Sequence, residues 1–145
     1  MSASTDLGGA TLQGARVAID GEADLLDVRS ALREQARQAG LSLTAATKLI
    51  TAGSELARNI VRYALAGQGT VTIARTSDHG RQGVRAVFAD PGPGIADLDQ
   101  AMRDGFSTGG SLGLGLPGSR RLVDEFAIDT GPGRGTTVVI TQWAR

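Results

Sequence analysis

Between Asp90 and Gly118 the chain reads DPGPGIADLDQAMRDGFSTGGSLGLGLPG, and this stretch holds eight of its 21 glycines. Glycine lacks a Cβ, so it admits left-handed turns and lets backbone N–H groups come close to another surface. At this density glycines either make a floppy linker or form a cradle for something anionic. The segments on either side decide between the two.

A chain of 145 residues that is 41% hydrophobic can bury one real core and is too short for two comfortable ones. One domain over residues 14–145 is expected, behind a small, polar, flexible tail at 1–13. No run of 18 apolar residues occurs, and MSASTDLGGATLQG lacks the basic start and apolar centre of a signal peptide. The expected location is therefore the cytoplasm, with no membrane partner. The absence of cysteine removes disulfides and thiolate metal sites, and a single histidine, His79, argues against a zinc site. Fifteen basic and fifteen acidic residues cancel, so the balance points to no nucleic-acid partner.

Taken in order, ARVAID (15–20) alternates as a strand, and Leu25, Val28, Leu32, Ala36 and Ala39 recur with helical spacing up to Gly40. A second helix is expected over about 44–64. On a helical wheel, Leu49, Ile50, Gly53, Leu56, Ala57, Ile60, Val61 and Ala64 form its apolar face. Lys48, Thr51, Glu55, Arg58, Asn59 and Arg62 form the opposite stripe, where Glu55 and Asn59 project side by side. Read alone, that stripe is more simply a solvated face with Glu/Arg pairing. TVTIAR (70–75) and GVRAVFAD (83–90) predict an antiparallel hairpin turning near an exposed His79. A short helix over 97–103, a helix from Pro117 to about Asp124, and strands at 126–130 and 136–143 complete the chain. The expected class is α+β: a two-layer sandwich with helices on one face of a mostly antiparallel mixed sheet.

Several chemistries use glycine-rich loops. Gly113, Gly115 and Gly118 satisfy G-x-G-x-x-G, but no strand precedes them and no acid lies beyond Asp129, which excludes a dinucleotide-binding unit. A Walker-type loop needs Gly-Lys-Ser/Thr at its helix start, and the only lysine is Lys48. What remains is phosphate binding at a helix start without a lysine, so a metal must neutralise much of the charge. Magnesium accepts a single protein oxygen beside phosphate oxygens, and Asn59 can supply one. Glu55 beside it can take the proton of a hydroxyl or water attacking a γ-phosphate.

Glu55-x-x-x-Asn59, Asp90-x-Gly92-x-Gly94, Gly113-x-Gly115 and Gly135-Thr136-Thr137, in that order, resemble the four boxes of the GHKL ATPases. SELARNIVRYA, DPGPGI, DGFSTGGSLGLGLPGSRRLVDEF and RGTTV are more specifically similar to the stressosome-type switch serine/threonine kinases of that superfamily. The resemblance covers about residues 15–145 and implies the Bergerat ATP-binding fold, with ATP and Mg²⁺ as cofactors. It assigns Asn59 to magnesium and Glu55 to the general base. It sets Asp90 on the adenine amino group, with Gly92 and Gly94 letting the base lie close, and brings Thr136 or Thr137 to the adenine edge. Gly109, Gly110, Gly113, Leu114 and Gly115, with Leu116 next to them, belong to the lid and phosphate-binding segment.

The same resemblance implies the partners. Switch kinases phosphorylate a serine or threonine on small STAS-domain proteins and, once released, bind and activate a PP2C-type phosphatase. The alternative is an anti-sigma factor with serine kinase activity that sequesters a sigma subunit, since such proteins share every ATP box.

Overall fold

The computed structural model describes residues 14–64, 67–103 and 115–145. The expected N-terminal tail lies outside them. Strand β1 (Gly14–Ile19) leads into helices α1 (Asp24–Ala39) and α2 (Leu43–Tyr63), then strands β2 (Gly69–Asp78) and β3 (Arg81–Asp90). A short α3 (Leu98–Ala101), α4 (Leu116–Leu122) and strands β4 (Glu125–Gly131) and β5 (Gly135–Trp143) follow. The five strands lie in the order β1-β2-β3-β5-β4, and all four pairings are antiparallel.

The helices start and stop where local chemistry dictates. Gly40 ends α1 in a left-handed conformation (φ 77°), its N–H returning to the carbonyls of Ala36 and Arg37. Ser42 caps α2 by accepting a hydrogen bond from the Ala45 N–H at 3.1 Å. The β2–β3 hairpin is longer than its alternating pattern alone predicts, because His79 (φ 52°) and Gly80 (φ 81°) make a two-residue left-handed turn. That geometry matches the twist of the strands, so pairing runs up to Asp78 opposite Arg81. His79 is exposed there.

One face of the sheet is covered by α1 and α2. Ile19, Val71, Ile73, Ala86, Phe88, Val138 and Ile140 point into that layer and meet Val28, Leu32, Leu49, Leu56 and Ile60 from the helices. Full burial of such a side chain contributes about 1.5–3 kcal/mol. At Gly53 a Cβ would stand 2.5 Å from Leu32 Cδ1, so the missing side chain is what lets α1 and α2 close on each other.

Helix α4 ends two residues earlier than the sequence predicts, at Leu122, with Val123 already extended. The following residue explains it. The Asp124 N–H donates to Gln142 Oε1 (2.8 Å), while its carboxylate accepts from the Trp143 N–H (2.8 Å) and from both terminal nitrogens of Arg145 (3.1 and 2.7 Å). Gln142 Nε2 also reaches the carbonyls of Ala45 and Leu122, each at 3.4 Å, tying α2 and α4 to β5. Burial alone would raise the Asp124 carboxyl, but the hydrogen bonds from Arg145 and Trp143 outweigh it and hold the group below its ordinary 3.8. A lowered carboxyl stabilises the fold above its unfolded value and loses that contribution as pH falls through the folded one. Asp124→Asn is therefore expected to cost about 1 kcal/mol at neutral pH. In urea melts, the gap from the parent protein should shrink as pH drops below 4, and a constant gap would contradict this assignment.

Candidate active site

Helix α2 carries the two residues that the sequence sets side by side. Its apolar face is anchored by Leu56, Ala57 and Ile60, all buried, which turns Glu55 and Asn59 outward into half-buried positions. Asn59 lines an apolar pocket whose floor is Leu56, Ile60, Phe88 and Val138 and whose polar end is Asp90 and Thr136. Pro93, Gly94 and Ile95 form one wall and Leu116 another. The volume is about 60 Å³.

The polar end is fixed by backbone packing. Asp90 closes β3 and pairs with Thr136 of β5, so both side chains leave the sheet on the helix-covered face. Asp90 Oδ1 accepts the Gly92 N–H at 2.8 Å, which turns the chain sharply after the strand and leaves the second carboxylate oxygen for another donor. Gly94 takes φ 78°, and a Cβ there would lie 2.0 Å from the Gly131 carbonyl oxygen. Gly135, at φ 76°, would put a Cβ 2.2 Å from the Asp90 carbonyl oxygen. The Gly133 N–H donates to the Pro93 carbonyl at 2.9 Å. The loop after β3 is thus pressed directly onto the β4–β5 turn.

Thr130 is the residue that reading the sequence missed. Its hydroxyl donates to the Gly135 carbonyl (3.1 Å), accepts the Ile95 N–H (2.9 Å) and lies 2.8 Å from Thr136 Oγ1. Either hydroxyl can donate across the Thr130–Thr136 contact; where Thr130 gives its proton to Gly135, Thr136 is the donor and keeps its acceptor lone pairs. The DTGPGRGTT string held the only available signal: two threonines at equal distances from the tip of a turn.

The other sequence-predicted residues divide clearly. Gly92 is buried in the turn, Gly94 and Leu116 line the pocket, and Thr136 faces it. Thr137 pairs with Ala89 and Asp129 on the opposite face of the sheet and does not line the pocket. Gly115 caps α4 at φ 66°, and a Cβ there would stand 2.4 Å from Glu55 Cγ, so the start of α4 rests on the Glu55 side chain. Glu55 Oε1 accepts from Arg58 Nη1 at 3.1 Å. Gly109, Gly110, Gly113 and Leu114 lie outside the described residues.

Among the described residues no group of three or more His, Cys, Asp or Glu gathers to hold a metal ion. Asn59, with its Oδ1 atom enclosed, supplies one hard oxygen donor. That donor set fits an ion carried mostly by phosphate oxygens. No helix among the described residues is long and apolar enough to cross a membrane.

This arrangement belongs to a known class. Residues 44–144 match the family model of histidine kinase-, DNA gyrase B- and HSP90-like ATPases, and the chain belongs to that family. Within it, the chain is 42% identical over 124 residues to the serine/threonine-protein kinase RsbT of Bacillus subtilis (strain 168), covering 86% of this chain and 92% of that protein. It is also 34% identical over 102 residues to an anti-sigma F factor of Bacillus licheniformis, covering 66% of this chain and 68% of that one. The fold agrees with the family: helices on one face of an antiparallel sheet, an α+β sandwich.

Burial pushes the Asp90 carboxyl above its ordinary 3.8, and the Gly92 hydrogen bond opposes the rise without cancelling it. A raised carboxyl makes the fold less stable as pH rises above the unfolded value, because ionisation then occurs against desolvation. Asn at this position keeps an oxygen for the Gly92 N–H and carries no charge. Asp90→Asn should therefore melt no lower than the parent at neutral pH while binding adenine nucleotides at least about tenfold more weakly, a loss of ~1.4 kcal/mol. Differential scanning fluorimetry and nucleotide titration check the two halves separately. Gly94→Ala is expected to lose nucleotide binding together with stability, since its Cβ meets backbone that has no room to move.

Proposed function

We propose that the chain is an ATP-dependent protein serine/threonine kinase of a partner-switching module, acting on a STAS-domain protein and, when released, binding and activating a PP2C-type phosphatase. The observation that supports it best is the placement of Asn59 in the pocket that ends in Asp90 and Thr136, with Glu55 one helical turn before it on α2 at the adjoining cleft. The similarity to RsbT along most of both chains supports the same reading.

In this reading Asp90 Oδ2 and the Thr136 lone pairs face the amino edge of adenine, whose ring lies on Phe88, Val138 and Ile60. A desolvated carboxylate gains more from an N–H donor than a hydrated one, because it exchanges no water for it. Magnesium, when bound with the nucleotide, neutralises phosphate charge, and Asn59 Oδ1 is the oxygen this chain offers it. Glu55 takes the proton of the acceptor hydroxyl as its oxygen bonds to the γ-phosphorus. The bond from that phosphorus to the bridging oxygen breaks, and its electron pair leaves with ADP. Arg58 holds the Glu55 carboxylate in one orientation through the 3.1 Å hydrogen bond.

A second reading is sequestration of a sigma subunit with kinase activity secondary, supported by the match to anti-sigma F factors. The kinase reading has the longer match at higher identity.

Incubation with γ-labelled ATP and STAS-domain proteins from the same genome tests the proposal, with label expected on a serine or threonine of one of them. Glu55→Ala should retain nucleotide affinity and lose about 10²–10⁴-fold in transfer, the usual range for a general base. Asn59→Asp should weaken binding of the magnesium–nucleotide complex itself. Normal transfer by Glu55→Ala would remove the base from the mechanism.

A further inference from the structure

Asp90, Thr136 and Thr130 lie in one row across three strands, with Asp90 opposite Thr136 in the β3–β5 ladder and Thr136 opposite Thr130 in the β5–β4 ladder. Asp90 and Thr136 line the apolar pocket, whereas Thr130 stands behind them and touches both the polar end and the wall. Its Oγ1 lies 2.8 Å from Thr136 Oγ1 and 3.1 Å from the Gly135 carbonyl oxygen, and it accepts the N–H of Ile95, a wall residue, at 2.9 Å. Two oxygen–oxygen contacts thus have two hydroxyl protons to share. With Thr130 donating to Gly135 and Thr136 donating to Thr130, each contact holds one proton, and Thr130 uses its proton and both lone pairs. With the Thr136 proton swung into the pocket, Thr130 must donate to Thr136. Thr130 Oγ1 and the Gly135 carbonyl oxygen then face each other at 3.1 Å with no proton between them. The first arrangement makes every bond that the geometry offers and prevails.

We propose that Thr130 is a positioning residue for base selection: by holding the Thr136 proton out of the pocket it leaves only acceptors at the polar end, which admits a 6-amino purine and rejects a 6-oxo purine. The inference rests on the adenine-nucleotide reading of the pocket above. Asp90 keeps one carboxylate oxygen beyond the one that takes the Gly92 N–H, and Thr136 sets its lone pairs beside it. An exocyclic amino group offers two protons to these oxygens. A carbonyl at the same ring position offers none and turns a lone pair toward them, over an apolar floor of Leu56, Phe88 and Val138 that supplies no other donor. A polar mismatch of this kind discriminates far more strongly than a difference in size. A hydroxyl free to rotate weakens the rule, because it donates to a carbonyl as readily as it accepts from an amine. Thr130 removes that freedom without entering the pocket.

The test is calorimetric titration of the full chain with ADP and with inosine diphosphate, each with magnesium, so that binding is read without transfer. The parent is expected to prefer ADP by at least about a hundredfold. Thr130→Val keeps the branched shape and loses the hydroxyl, and the preference should fall about tenfold, whereas Thr130→Ser should keep it. A merely structural role weakens both nucleotides alike and leaves their ratio unmoved. Thr130→Cys, whose thiol is a weak donor, should shift the ratio in the same direction, and it carries the test where the valine variant does not fold. In a Thr136→Val background, Thr130→Val should change the ratio no further, since its effect passes through the Thr136 hydroxyl. Equal binding of the two nucleotides by the parent, a ratio that survives Thr130→Val or Thr130→Cys, or a further fall in the Thr136→Val background overturns the proposal. A parent that binds neither nucleotide overturns the adenine reading and the proposal together. A parent that prefers ADP while the Thr130 variants keep its ratio leaves that reading standing and removes Thr130 from it.

Discussion

Two backbone contacts hold the polar end of the pocket together. Where Gly94 meets the Gly131 carbonyl and Gly135 meets the Asp90 carbonyl, the loop after β3 and the β4–β5 turn approach more closely than any pair of side-chain-bearing residues permits. Thr130 and Thr136 then form one hydrogen-bonded group that also pins the Ile95 N–H, with Asp90 opposite Thr136 in the ladder. The glycines matter here because protein backbone approaches protein backbone, before any ligand is considered.

Helix α2 does the second part of the organisation. Its buried side is fixed by Leu49, Leu56 and Ile60, and its free side presents Glu55, Arg58 and Asn59 in half-buried positions. A helical wheel puts Glu55 and Asn59 on one stripe. The tertiary structure separates them, because α4 begins against Glu55 and sends Leu116 toward the Asn59 side. A carboxylate and a carboxamide one turn apart are thereby given different neighbours, one arginine-rich and one apolar.

Much of this was legible beforehand. Periodicity located α1, α2 and the strands, since each buries one face against a single layer, Pro117 and the Asp-Pro-Gly-Pro-Gly break placed α4 and α3, and the spacing of Glu55 and Asn59 is local to one helix. What periodicity does not carry is register. Thr136 and Thr137 are adjacent and alike in sequence, and only the pairing of Asp90 with Thr136 puts the former over the pocket and the latter behind the sheet. Thr130 stayed hidden for the same reason: its partners Ile95, Gly135 and Thr136 come together only once the turn length has fixed which residues face each other. The ends of β2 and β3 depended on the left-handed turn at His79 and Gly80, and the end of α4 on tertiary hydrogen bonds to Asp124. None of these is written in a hydrophobic pattern.

Gln142 gives α4 a mechanical character. One end of this short helix is tied through the Leu122 carbonyl and the adjoining Asp124 N–H to the same buried amide, which also reaches the first turn of α2. The other end leans on the Glu55 side chain through Gly115. A helix anchored at its tail and resting at its head on an acidic side chain is a short lever with its fulcrum in the sheet. A swing of α4 about Leu122 would therefore press first on the Glu55 side chain.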